Sequence, residues 1–415
     1  MTPCRHIAPP VTHSITIKEQ ERRSPHRQVT MAYSAELRLA LRAVHRAALL
    51  TKSVLRSLSN NVSAETKADD SPVTIADFAA QALLISALHA VYPNDRFLGE
   101  ESADALRQNE QLADRVWQLV QQAKDEAHAT SNGSSKQEGD QQKHVRDEAQ
   151  LAFPATKKDM LDLIDRGGKG KVTGSGRVWA MDPVDGTATF MQGQQYAVCL
   201  CLLIDGIQQV GVIACPNLAF PIQGPLGSTR IHEDAVDKEG YGVMLSAVKG
   251  QGTFIRSMTA SSLGSDVRHV DLATLPAKKA SSLNFVEATI GKTSLSQAEH
   301  EAVANMLGAS WPGTVIWSQQ MKYVALALGA TDVMVRIPKT LDRFTYIWDH
   351  AGGHLLYQEA GGVISDFNGE QIDFAHGRTI TGDRNWGMIA CLPGNFEEVG
   401  KAVKEVLRKR DGDDA

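Results

Sequence analysis

The stretch Val178-Trp-Ala-Met-Asp-Pro-Val-Asp-Gly-Thr-Ala-Thr-Phe190 constrains this chain most, because an apolar run stops abruptly on two carboxylates separated by Pro183 and Val184. Pro183 fixes its own φ and biases Asp182 toward extended geometry, while Gly186 lets the backbone approach whatever Asp182 and Asp185 hold. Thr187 follows at the expected start of a helix, where unpaired backbone N–H groups and the positive dipole end attract an anion. Hard oxygen ligands beside an anion hole suit a divalent metal that carries phosphate. Taken alone, Asp-Pro-Val-Asp-Gly is equally what a surface turn looks like. The rest of the chain has to separate the two readings.

A chain of 415 residues exceeds the size at which one core usually keeps growing, so two packed subdomains are expected. The net charge of −5 argues against a general nucleic-acid surface, although a metal site can still invert the local charge for a small anionic substrate. Five cysteines, an odd number and mostly inside apolar runs, read as buried thiols of a reducing compartment. Cys199 and Cys201 share a strand face but lack further Cys or His partners for a metal. No apolar run has the length of a membrane helix. The expected location is the cytoplasm, or the mitochondrion if the Arg-rich residues 1–30 act as a transit peptide; Glu19 and Glu21 weaken the second option.

Residues 1–30 read as a disordered leader, with Met31 as a second candidate start. A structural helix is expected from Ser34 to about Ser57, and a second helix buries Ala76, Ala79, Leu83 and Leu84, with Asp77 in its first turn, where a carboxylate compensates the dipole. Arg96 to Glu101 reads as a strand ending on two acids, Glu100 and Glu101, of which one can reach a given metal. From about Gln121 to Gln150 the composition turns polar, as in a solvated insert that orders no core. Asp205-Gly206 between Tyr196–Ile204 and Ile207–Cys215 signals a tight hairpin, and Tyr241–Val248 with Thr253–Arg256 extend the antiparallel pattern. The second half alternates strand and helix: strands at Leu283–Ala288, Asp332–Arg336, Val363–Ser365 and Met388–Cys391, helices at Gln297–Leu307, Met321–Leu328 and about Ile347–Glu359, and a last helix from Asn395. The resulting domains are residues 31–245, an α+β unit with the metal-binding motifs, and 246–415, an α/β unit.

Lys67-Ala-Asp-Asp-Ser-Pro-Val-Thr-Ile-Ala-Asp77, Gly99-Glu-Glu101, the Asp182 stretch, and Ile347-Trp-Asp-His350 with Glu359-Ala-Gly-Gly362 resemble the Mg-dependent, lithium-sensitive phosphatases of the inositol monophosphatase superfamily. Tyr196-Ala-Val-Cys-Leu-Cys201, Cys215-Pro-Asn-Leu218 and Val335-Arg-Ile-Pro338 are similar to the 3′(2′),5′-bisphosphate nucleotidases within it. Four separated motifs in the right order are far more specific than any one. The resemblance runs from about residue 33 to the C-terminus. It implies a layered α-β-α-β-α sandwich, with an antiparallel sheet in the first half and a mixed one in the second.

The resemblance also implies the roles. Glu100, Asp182, Asp185, Asp349 and the carbonyl of Val184 would hold two or three Mg²⁺, and Asp77 with Thr187 would activate the attacking water. Glu101 and Gly186 would support the ligands, and Asp349 also borders the substrate. His350 reads as a packing or hydrogen-bonding residue rather than a ligand. Lys322 and Arg336 match nucleotide contacts, the Arg fork suiting a second phosphate. The chain departs from its relatives at Trp317-Ser-Gln-Gln-Met-Lys322, where Gln319 or Ser318 stands for a family serine, and at Lys292, which replaces a histidine near the base. The expectation is a monomeric phosphomonoesterase acting on a small nucleotide bisphosphate, 3′-phosphoadenosine 5′-phosphate or its phosphosulfate analogue, in sulfur metabolism. An inositol phosphate phosphatase is the alternative within the same chemistry. A non-catalytic nucleotide-binding regulator on the same fold is the alternative outside it.

Overall fold

The computed structural model describes residues 32–57, 65–66, 72–73, 75–132, 151–288, 294–410 and 412. The leader 1–30, most of the Lys67–Thr74 loop, residues 133–150 of the insert, and Lys292 lie outside the described residues.

A seven-stranded sheet runs in the order Arg268–Val270, Thr253–Ser257, Val243–Val248, Ile207–Cys215, Ala197–Ile204, Arg177–Asp185, Arg96–Gly99. Neighbours are antiparallel throughout, except that Arg96–Gly99 lies parallel to Arg177–Asp185. The Asp205-Gly206 hairpin forms as its sequence demands, with φ of +50° and +76° in the two turn residues.

Strand alternation places the two faces of this sheet in different cores. Val198, Leu200, Leu202, Val210 and Val212 pack with the helices Ser34–Ser57 and Ile75–Val91. Ala197, Cys199, Cys201, Ile213 and Cys215 pack with Tyr323, Val324, Leu355 and Leu356 of the helices Gln319–Ala327 and Ala351–Glu359. Beyond these helices lies a three-stranded antiparallel sheet, Val333–Arg336, Met388–Cys391, Val363–Ser365. Met334 and Met388 point back to the middle helices, whereas Val333, Val335, Ile389 and Cys391 pack with the helices Gln297–Met306 and Pro393–Arg410. The five layers α-β-α-β-α are those expected, and a parallel bridge from Phe285 to Val333 makes the second sheet region mixed.

Four local expectations need correction. A domain boundary at 245/246 falls inside the strand Val243–Val248, and the large sheet continues to Val270, because polar and Gly-rich turns there join strands of one sheet rather than two units. The helix expected from Ile347 begins at Ala351, so Asp349 lies in the turn ahead of it. The helix expected from Met321 begins at Gln319, with Ser318 as its N-cap. The insert is not solvated from Gln121, since the helix Glu110–Asn132 runs through that point and buries Ala123 and Ala127 beside Val120. Alanines at this four-residue spacing are the inner stripe of a polar helix, a signal that composition alone hides.

Excising 133–149 is expected to leave melting temperature and kcat/KM nearly unchanged, while excising 121–150 lowers the melting temperature by several degrees through loss of the buried Ala123 and Ala127. Thermal melts of the two deletions, compared with the full chain, check this.

Candidate active site

Asp182 and Asp185 are three residues apart, so in a regular strand their side chains would point to opposite faces. The ladder with Ala197–Ile204 shows why they do not: Asp182 pairs with Cys199 and Asp185 with Ala197, so the Arg177–Asp185 strand carries one extra residue as a bulge. Pro183, which donates no ladder bond, sits in that bulge. The slip turns both carboxylates to one side. Gly186 follows at φ +92°, and a Cβ there would lie 2.9 Å from the Ser318 Cβ and from Thr189 Oγ1, so both the turn and the close approach need glycine. Thr187 opens a helix of five residues and donates its hydroxyl to the Val184 carbonyl at 3.2 Å.

Asp349 comes from the other half. One carboxylate oxygen from each of Asp182, Asp185 and Asp349 lies within 4.8 Å of the others. Asp182 and Asp185 are buried, and Asp349 is half-buried. Glu100 and Asp77 belong to the same neighbourhood, because both charges act on Asp182. Burial, then Glu100 and Asp185, push Asp182 well above the usual carboxylate range. Burial, then Asp185 and Glu100, push Asp349 up to about 8. Burial raises Asp185 to about 6 in spite of hydrogen bonds that oppose the shift. Converging carboxylate oxygens that repel one another fit a hard divalent cation such as Mg²⁺.

Packing between the halves sets this geometry. Asp185 receives the Ser318 hydroxyl and the backbone N–H groups of Gln320 at 2.5 Å and Gln319 at 3.3 Å, so it caps the N-terminus of the Gln319–Ala327 helix. The Gln320 side chain donates to the Trp348 carbonyl at 2.7 Å and accepts from Gly353 N–H at 2.8 Å. One residue thus ties Asp185 to the turn that carries Asp349. At the Glu100 corner, Gln81, one helical turn beyond Asp77, exchanges two bonds with the Glu101 backbone at 2.6 and 3.0 Å. Arg378 donates to the Gly99 carbonyl at 2.7 Å and lies over the Trp348 ring at 4.6 Å. Sequence reading missed Gln81, Gln320 and Arg378, since an isolated Gln or Arg carries no motif.

Lys322 is buried close to Arg336, and burial lowers it to about 8, opposed by the charges of Asp185, Glu287 and Glu233. Ser318 donates to Asp185, and Gln319 accepts from Arg336 and donates to Met334 Sδ at 3.1 Å, so both side chains are hydrogen-bonded beside the acids. His350 is fully buried and kept neutral by burial, with Tyr323 Oη at 2.8 Å from Nδ1 and Thr345 Oγ1 at 2.9 Å from Nε2. Both ring nitrogens are occupied, in keeping with a hydrogen-bonding role. Glu101 is buried.

The sequence profile of the inositol monophosphatase family matches residues 104–401. The 3′(2′),5′-bisphosphate nucleotidase of Emericella nidulans is 38% identical over 378 residues, covering 91% of this chain and 100% of its own. That of Schizosaccharomyces pombe is 36% identical over 384 residues, with 91% and 98% covered. Among solved structures, the extragenic suppressor protein suhB from Bartonella henselae shares the fold with a TM-score of 0.54 at 17% identity, over 90% of this chain and 99% of its own. The motifs, the layered fold and these relatives together place the chain in the inositol monophosphatase family, alongside the 3′(2′),5′-bisphosphate nucleotidases.

Proposed function

We propose that the chain is an Mg²⁺-dependent phosphomonoesterase that removes the 3′-phosphate of 3′-phosphoadenosine 5′-phosphate, releasing AMP and phosphate, and that accepts the 5′-phosphosulfate analogue. The carrying observation is the convergence of Asp182, Asp185 and Asp349 from two halves of the chain onto one point. Glu100 and the Val184 carbonyl complete a donor set for two or three ions. Bound there, Mg²⁺ would supply Lewis acidity and neutralise charge on the phosphoryl group. Asp77 accepts the proton of the attacking water, and Thr187 orients that water for in-line displacement. Lys322 and Arg336 bring positive charge beside the acids, where a substrate with a second phosphate is favoured over a monophosphate.

The deciding experiment is a phosphate-release panel at saturating Mg²⁺ with 3′-phosphoadenosine 5′-phosphate, inositol 1-phosphate and inositol 1,4-bisphosphate. The nucleotide is expected to give the highest kcat/KM, with all turnover lost after exhaustive chelation. Faster turnover of either inositol phosphate would move the chain to the alternative substrate class. No turnover of any substrate by folded, Mg²⁺-binding protein would favour the regulator.

A further inference from the structure

The Thr345 hydroxyl lies on the strand Phe344–Tyr346, outside every motif, yet touches three groups. It is 3.3 Å from Asp349 Oδ2, 2.9 Å from His350 Nε2, and 3.4 Å from Arg336 Nη2. A hydroxyl has one proton and two lone pairs, and Arg336 only donates while an ionised Asp349 only accepts. With Asp349 ionised, as metal binding requires, all three contacts are satisfied in a single arrangement: Thr345 accepts from Arg336 and from His350 Nε2–H, and donates to Asp349. A neutral His350 with its proton on Nε2 needs a donor for Nδ1, and the Tyr323 hydroxyl stands there at 2.8 Å. Its other neighbour, Met388 Sδ at 3.1 Å, is the weaker acceptor.

We infer that Thr345 is a positioning residue whose orientation is set by the buried Tyr323–His350 pair, and that it links the Asp349 metal ligand to the Arg336 anion contact. The inference rests on the reading of Asp349 as a ligand for Mg²⁺. Without the Tyr323 hydroxyl, His350 is free to carry its proton on Nδ1, and the Thr345 hydroxyl then turns its proton to Nε2 and away from Asp349. The Tyr323 hydroxyl bonds to His350 and Met388 rather than to Asp349, so an effect of its removal on metal binding reports the chain of bonds rather than a lost ligand.

The test is Mg²⁺ binding by calorimetry on the full chain, with Mg²⁺ alone as the probe. Thr345→Val is expected to weaken binding about tenfold, Tyr323→Phe to weaken it by a smaller factor, and Thr345→Ser to restore the wild-type value. Folded Thr345→Val with Mg²⁺ affinity within about twofold of wild type would overturn the inference. Unchanged affinity in Tyr323→Phe would overturn the orienting role of the Tyr323–His350 pair. Should Thr345→Val not fold, Tyr323→Phe and Thr345→Ser decide the matter. Wild-type protein that fails to bind Mg²⁺ would instead overturn the metal-centre reading itself, a distinguishable outcome.

Discussion

Asp77→Asn is expected to lower kcat by about two orders of magnitude or more, with the fold and Mg²⁺ affinity retained. Asp77 is fully buried in the first turn of the Ile75–Val91 helix, a position that favours a carboxylate and tolerates its isosteric amide. A carboxylate kept only for the dipole would sit at the surface, where solvation costs nothing. This one is buried, and its charge reaches Asp182. Asparagine preserves volume and most hydrogen-bonding geometry but cannot accept the proton of the attacking water. The measurement is kcat at saturating substrate and Mg²⁺, paired with a calorimetric Mg²⁺ titration. A rate near that of the wild type would return Asp77 to simple dipole compensation, and a parallel collapse of Mg²⁺ affinity would make it a ligand instead of a base.

The second large effect is on stability. In chelator, the melting temperature is expected to fall steadily as pH rises from about 4 to about 8, and Mg²⁺ should abolish most of that fall. Asp182, Asp185 and Asp349 all bind protons more tightly in the folded chain than their ordinary value of 3.8. For groups raised on folding, the stabilisation is fully present below the unfolded value. It is lost as pH climbs through the folded values, here about 6 for Asp185 and about 8 for Asp349. For Asp185 alone, buried to 7% exposure, the rise from 3.8 to about 6 corresponds to about 3 kcal/mol. A divalent cation reverses the sign, since binding requires the deprotonated carboxylates and relieves their repulsion. Thermal melts at pH 5, 6.5 and 8, with and without Mg²⁺, test this. An Mg²⁺-induced shift of equal size at pH 5 and pH 8 would show that these carboxylates do not carry the pH dependence.

Local patterns reached far into this fold. The alternation through Ala197–Ile204 and Ile207–Cys215, the Asp-Gly hairpin and the helical stripe of the first helix each depend on neighbours in sequence, so they were legible without tertiary information. Misreadings arose where long-range packing overrode composition. The polar segment after Gln121 stays helical because Ala123 packs in the first-half core and Ala127, one turn on, is buried on the same face. Asp349 stands ahead of its helix because the turn there is held from outside by Gln320.

The amino-acid order by itself determined which chemistry is available: hard oxygen donors at Asp182 and Asp185, a stiff Pro183, a permissive Gly186 and a hydroxyl at Thr187, all within six residues. Their mutual placement was a tertiary decision. The bulge that turns two carboxylates to one side exists only against the neighbouring strand, and the third carboxylate arrives only when Gln320 bridges the halves. Ser318 and Gln319 show the same limit, because a hydroxyl and an amide near an anion site suit substrate or frame equally well in sequence. Only the folded chain shows that they bond to Asp185 and Arg336, since a hydrogen bond needs its partner within about 3 Å and sequence separation carries no such information.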